Sequence, residues 1–175
     1  MIERKNLIVG QSGGPTAAIN SSLAGVYEGA KQSGFKKVYG MRYGIEGLLS
    51  EKIIDLDDTL NNSLNIELLK RTPSSYLGSC RYKLPKVEAN NEVYEKIFEI
   101  LKKYNIEIFI YIGGNDSMDT IKKLSDYAKL IGSDIRFIGV PKTVDNDLPV
   151  TDHTPGYGSA AKYLSLIHIS EPTRQ

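Results

Sequence analysis

The chain has 175 residues, 41% of them hydrophobic and 25% charged, which suits one globular domain and excludes a wholly disordered protein. Lys and Arg number 22 against 21 Asp and Glu, a net charge of +1, so the basic field of a nucleic-acid binder is missing. One cysteine, Cys80, and two histidines, His153 and His168, exclude a disulfide framework and a Cys- or His-rich metal centre.

Residues 1–6 are charged and lead into a run of only four apolar or glycine residues. That predicts neither a signal peptide nor a membrane span, and a cytoplasmic protein. Apolar runs at 7–9, 38–41, 106–112 and 137–140 predict strands. The last three are nearly continuous rather than alternating, as expected for strands buried on both faces of a parallel sheet. Helical spacing lies between them. Ile19, Leu23, Val26 and Ala30 form one stripe within 17–32. Val93, Ile97, Ile100 and Leu101 form a second, and Ile121, Leu124, Ala128 and Ile131 a third. Residues 55–85 look irregular, with Asp57, Asp58, Asn61, Asn62 and Pro73, and predict loops and short elements. A further helix is predicted from about Ser159. The recurring order of strand, helix and strand predicts an α/β, doubly wound, mostly parallel sheet.

Ligands of such sheets bind outside the carboxyl ends of the strands. Three loops there carry unusual residues. The first is Gly10-Gln11-Ser12-Gly13-Gly14-Pro15-Thr16. Its small residues admit close backbone approach, and the next helix offers unpaired N–H groups to a phosphate. A plain tight turn with Pro15 near the first helical position fits it equally. The second is Gly113-Gly114-Asn115-Asp116-Ser117. Asp116 or Ser117 suits a helix N-cap, and a carboxylate beside a phosphate-sized hollow also suits Mg²⁺. The third, Pro141-Lys142-Thr143-Val144-Asp145-Asn146-Asp147, sets a cation and two carboxylates within a few residues. Acid–base chemistry is one reading and an Asx-rich turn the other; a shared sheet edge for all three loops favours chemistry. Gly78-Ser79-Cys80-Arg81 adds a guanidinium suited to phosphate or to an ordinary ion pair.

These motifs occur in one order, followed by Thr154-Pro155-Gly156-Tyr157-Gly158-Ser159-Ala160-Ala161. Together they resemble the phosphofructokinase family, within it the pyrophosphate-dependent branch, over about residues 5–163. The resemblance implies a Rossmann-like N-terminal lobe. It also implies phosphoryl transfer to the 1-hydroxyl of fructose 6-phosphate in glycolysis, with Mg²⁺. It implies Gly13, Gly14, Arg81, Gly114, Asp116, Ser117 and Lys142 as donor-phosphate residues, and Thr143 and Asp145 as substrate contacts. Asp145 matches the catalytic base, with Arg81 and Lys142 beside it and Asp147 in support. Asn115 stands where the family has a magnesium-linked aspartate, so Asn115 and Asp116 are both candidate metal residues. Asp116 and Lys142 stand where ATP-using relatives carry glycines. A carboxylate there repels the α-phosphate of ATP and an ammonium suits pyrophosphate, so pyrophosphate is the expected donor. ATP dependence is the alternative, and a non-catalytic phosphate-binding module is another.

Members of that family are longer than this chain and form homo-oligomers. The resemblance therefore makes residues 1–164 the N-terminal lobe of an incomplete enzyme, inactive alone. No nucleic-acid or membrane partner is expected. Residues 165–175 do not match the pattern. They read as a non-native tail similar to a translated sequencing adapter, with a divergent helix ending at Pro172 as the other reading. His168 is assigned no role.

Overall fold

The computed structural model describes residues 4–87 and 90–170, the last four of these by their backbone alone. Five strands form one sheet in the order β3-β2-β1-β4-β5. They are β1 (Asn6–Gln11), β2 (Val38–Met41), β3 (Ile53–Asp55), β4 (Ile106–Gly113) and β5 (Arg136–Pro141). β1 lies parallel to β2 and β4, with Leu7 opposite Val38 on one side and Ile108 on the other. β5 extends the parallel set beyond β4, and only β3 runs antiparallel, against β2. The helices are α1 (Ala17–Gln32), α2 (Gly44–Leu49), α3 (Ser63–Arg71), α4 (Asn91–Lys103), α5 (Asn115–Leu130) and α6 (Tyr157–Ser170).

Strand side chains alternate between faces, so one sheet serves two cores. Leu7, Val9, Ile108, Ile110 and Ile112 meet α1 and α3 through Ile19, Leu23, Tyr27 and Leu69. Ile8, Phe109 and Tyr111 turn the other way, onto α2, α4 and α5 through Ile45, Tyr94, Ile97, Phe98 and Leu124. Each such buried side chain contributes about 1.5–3 kcal/mol relative to exposure. The continuous apolar runs of β1 and β4 follow from this two-sided burial.

β5 departs from that expectation. Arg136 and Ile138 are exposed, Ile138 at 43%, because β5 is an edge strand. Its Phe137 reaches one core, 5.4 Å from Phe109 and 5.6 Å from Phe98 between ring centres, and its half-buried Val140 packs against the other. On α6, Tyr163, Leu164 and Leu166 are more than half exposed. α6 passes through the 164/165 boundary, and residues 171–175 of the expected tail lie outside the described residues.

The stretch composed like a loop contains more order than expected. Asn62 is the N-cap of α3, its side-chain oxygen accepting from the Asn65 N–H at 2.8 Å. Beside it, Asp57 ties the segment to α1. The Tyr27 hydroxyl donates to Asp57 Oδ1 at 2.9 Å, and Lys31 pairs with Oδ2 at 3.0 Å. Burial, then the bond to Asp57 and the nearby carboxylates, push the Tyr27 phenol up to about 12. A raised folded-state value stabilises below the unfolded value near 10 and is lost as pH climbs toward 12. Unfolding midpoints measured from pH 9 to 12 should therefore fall, and Tyr27→Phe should flatten that slope. An equal slope in the variant would remove Tyr27 as its source.

Candidate active site

The strand order reverses between β1 and β4. β2 lies to one side of β1, while the next parallel neighbour, β4, arrives about 100 residues later on the other. The loops after β1 and β4 therefore diverge and leave a crevice at their carboxyl ends. A cleft of about 510 Å³ opens there. Gly13, Gly14, Arg81, Gly114, Asn115, Asp116, Ser117, Lys142, Thr143 and Asp145 all line it, together with Ser12, Thr16 and Tyr82.

Glycines shape the crevice where other residues fail. Gly13 has φ +77°, the left-handed region. A Cβ on Gly113 would stand 2.0 Å from Ser117 Oγ and 3.0 Å from the Ser12 carbonyl oxygen. The β1 and β4 loops can pass this closely only with a glycine between them.

Two local expectations change. Thr16 is the N-cap of α1, so Pro15 precedes the cap rather than occupying the first helical position. Gly114 caps α5, which makes Asp116 and Ser117 second- and third-position residues inside the helix, not caps. With Gly114 as the cap, the helix begins at Asn115. Ser117 is then buried at 2% exposure and its N–H bonds the Gly114 carbonyl at 3.0 Å.

Charge is distributed unevenly. Lys142 is only 4% exposed, and its Nζ donates to the Gly14 carbonyl at 2.5 Å. Burial pulls its ammonium below the ordinary lysine range, against the opposing pull of Asp145. Arg81, Asp145 and Asp147 are exposed. The Asp145 N–H donates to Thr143 Oγ1 at 3.1 Å, which fixes the turn that carries its carboxylate. Thr143 also pairs with the next segment: its N–H donates to the Pro155 carbonyl at 3.0 Å, opposite Gly156. Asn115 Nδ2 donates to Asp147 Oδ2 at 2.9 Å, while Asp116 faces Lys83 at 3.5 Å. Among the described residues no group of three or more His, Cys, Asp or Glu side chains is placed to hold a metal ion.

Two residues acquire contacts that linear spacing does not reveal. Ser12 Oγ donates to the Cys80 carbonyl at 3.1 Å, and Ser79 Oγ donates to the Gly13 carbonyl at 2.5 Å. Both serines lie within motifs of the sequence, but nothing in the linear order says that they pair with each other's loops.

The family model for phosphofructokinase matches residues 6–168. The pyrophosphate–fructose 6-phosphate 1-phosphotransferase of Xanthomonas campestris pv. campestris is 47% identical over 161 residues, covering 92% of this chain and 38% of its own length. That of Methylococcus capsulatus is 44% identical over 164 residues, covering 93% of this chain and 39% of its own. The crystal structure of a pyrophosphate-dependent phosphofructokinase from Nitrosospira multiformis superposes with a TM-score of 0.84 at 44% identity, over 93% of this chain and 40% of that one. An ATP-dependent 6-phosphofructokinase from Actinobacillus pleuropneumoniae is 34% identical. The chain thus spans about two fifths of the length of the pyrophosphate-dependent relatives. By its ordered loops, its sheet and this match along most of its length, the chain belongs to the phosphofructokinase family.

Proposed function

We propose that this chain is the donor-binding lobe of a pyrophosphate-dependent fructose 6-phosphate 1-phosphotransferase. The observation that carries the reading is Lys142, a buried ammonium seated on the glycine loop at Gly14. A compact cation held on the glycine loop by a backbone carbonyl suits a small, highly charged donor better than a nucleotide. Asp116 across the cleft adds a carboxylate that an α-phosphate would have to approach.

In this reading Gly13, Gly14, Gly114 and Ser117 offer backbone and hydroxyl donors to pyrophosphate. Arg81 and Lys142 neutralise the charge on the transferred phosphoryl group. Thr143 helps seat the sugar. Asp145 takes the proton of the C1 hydroxyl as its oxygen bonds to phosphorus and the P–O bond to the leaving phosphate breaks. Positioning and charge neutralisation supply most of the acceleration in such transfers.

Mg²⁺ fits a site with few protein ligands, since it retains waters and is shared with substrate phosphates. Asn115 and Asp116, neighbours on the cleft wall, are the residues that would hold it, with Asp147 in support through its bond to the Asn115 amide. When bound, the ion supplies charge neutralisation at the donor oxygens. A cytoplasmic, glycolytic homo-oligomer is the setting proposed for the complete enzyme. No described helix is long and apolar enough to cross a membrane.

The test is turnover by this lobe fused to the C-terminal remainder of a pyrophosphate-dependent relative. Fructose 1,6-bisphosphate should form with pyrophosphate and Mg²⁺, and the 175-residue chain alone should bind pyrophosphate without turnover. Preference for ATP in the fusion would overturn the donor assignment. In the same fusion, Asp116→Gly with Lys142→Gly should raise ATP use relative to pyrophosphate. An unchanged ratio would mean that these two side chains do not select the donor.

A further inference from the structure

We propose that Ser12 and Ser79 are a positioning pair whose crossed hydrogen bonds lock two peptide planes of the cleft, Gly13–Gly14 and Cys80–Arg81. The two serines sit on loops that belong to different parts of the chain. Each hydroxyl donates to a carbonyl of the other loop: Ser79 Oγ to Gly13 at 2.5 Å and Ser12 Oγ to Cys80 at 3.1 Å.

A trans peptide is planar, with its N–H pointing opposite its C=O. Holding the Gly13 carbonyl toward Ser79 therefore aims the Gly14 N–H the other way. Holding the Cys80 carbonyl toward Ser12 does the same for the Arg81 N–H and fixes the backbone from which the Arg81 side chain departs. The need for a lock is physical. Gly13, at φ +77°, has no side chain to resist rotation of the peptide that follows it. The neighbouring plane is fixed separately, because the Gly14 carbonyl accepts from Lys142 Nζ. The residue after it, Pro15, carries no N–H at all. Gly14 is thus the last backbone donor of the glycine loop ahead of Pro15, and Ser79 sets its direction.

Burial adds to the constraint. Ser12 is 6% exposed and Cys80 8%, so the Cys80 carbonyl loses its hydroxyl partner where water replaces it poorly. The consequence for ligands rests on the phosphate reading above: a preset Gly14 donor and a preset Arg81 meet an anionic phosphoryl group without reorganising.

The experiment uses the ¹⁵N-labelled 175-residue chain, with relaxation dispersion at Gly14 and Arg81, followed by titration with pyrophosphate. Ser79→Ala should introduce microsecond-to-millisecond exchange at Gly14 and weaken pyrophosphate binding about tenfold, as expected for a lost preset donor. Ser79→Thr, which keeps the hydroxyl, should restore both. Ser12→Ala should introduce exchange at Arg81 while Gly14 stays quiet. That crossed pattern is what general loosening of the loops does not produce. Identical spectra at Gly14 in the parent and Ser79→Ala, or equal exchange at both sites in either variant, would overturn the pairing. Crossed exchange in a chain that binds no pyrophosphate would uphold the pair and remove the donor reading instead.

Discussion

Asp145→Asn is expected to lower kcat by about 10²–10⁴-fold in the fused enzyme, with the KM for fructose 6-phosphate nearly unchanged. The substitution keeps the size and the turn, since the Asp145 N–H to Thr143 Oγ1 bond involves only the backbone of residue 145. What it removes is the group proposed to accept the hydroxyl proton. A loss confined to kcat identifies an interaction made in the transition state rather than in the bound ground state. The carboxylate is exposed at the cleft wall in this lobe, so its deletion leaves no buried orphan and stability should hardly change. Near-normal kcat in the variant would take Asp145 out of the mechanism.

Phe109→Ala is expected to cost about 3–5 kcal/mol of stability, read from the urea midpoint at constant slope. Phe109 is fully buried in β4, next to the centre of the sheet. Its ring meets Phe137 at 5.4 Å and Tyr111 at 6.1 Å. The same aromatic layer continues through Phe98 and Tyr127 at 5.2 Å, so a void there has rigid neighbours that cannot collapse into it. The loss should be felt twice over, because Phe137 is the aromatic anchor of edge strand β5, which ends at the Lys142–Asp145 loop. A loss below about 1 kcal/mol would show that the aromatic layer repacks freely.

Much of this architecture is legible in the chain because burial leaves a periodic trace. β1, β2, β4 and helices α1, α4 and α5 each carry enough apolar residues for the period to emerge. β3 is three residues long and α2 only six, too short for any period. α3 buries essentially one leucine, Leu69, so its stripe is faint and its polar face resembles a loop. β5 misled in the other direction: Phe137, Ile138 and Val140 form an apolar run, yet among the described residues no strand lies beyond it in this sheet. At the cleft, glycine, lysine and aspartate motifs announce themselves because their residue types are chemically unusual in strand-end loops. The serine pair does not, since partners 66 and 68 residues apart are joined by topology alone. The Asn115–Asp147 bond is hidden for the same reason.

The adjacency of β1 and β4, which brings the two glycine loops together, also dictates when the cleft can exist. Leu7 pairs with Ile108 across 101 positions of chain, and such a closure is entropically slow to make. No early hairpin or single helix assembles even half of the binding surface. The phosphate ligand proposed above is therefore a ligand of the finished sheet alone. It holds the native state against opening and lowers the unfolding rate, while the rate of folding, set before the crevice has formed, stays where it was.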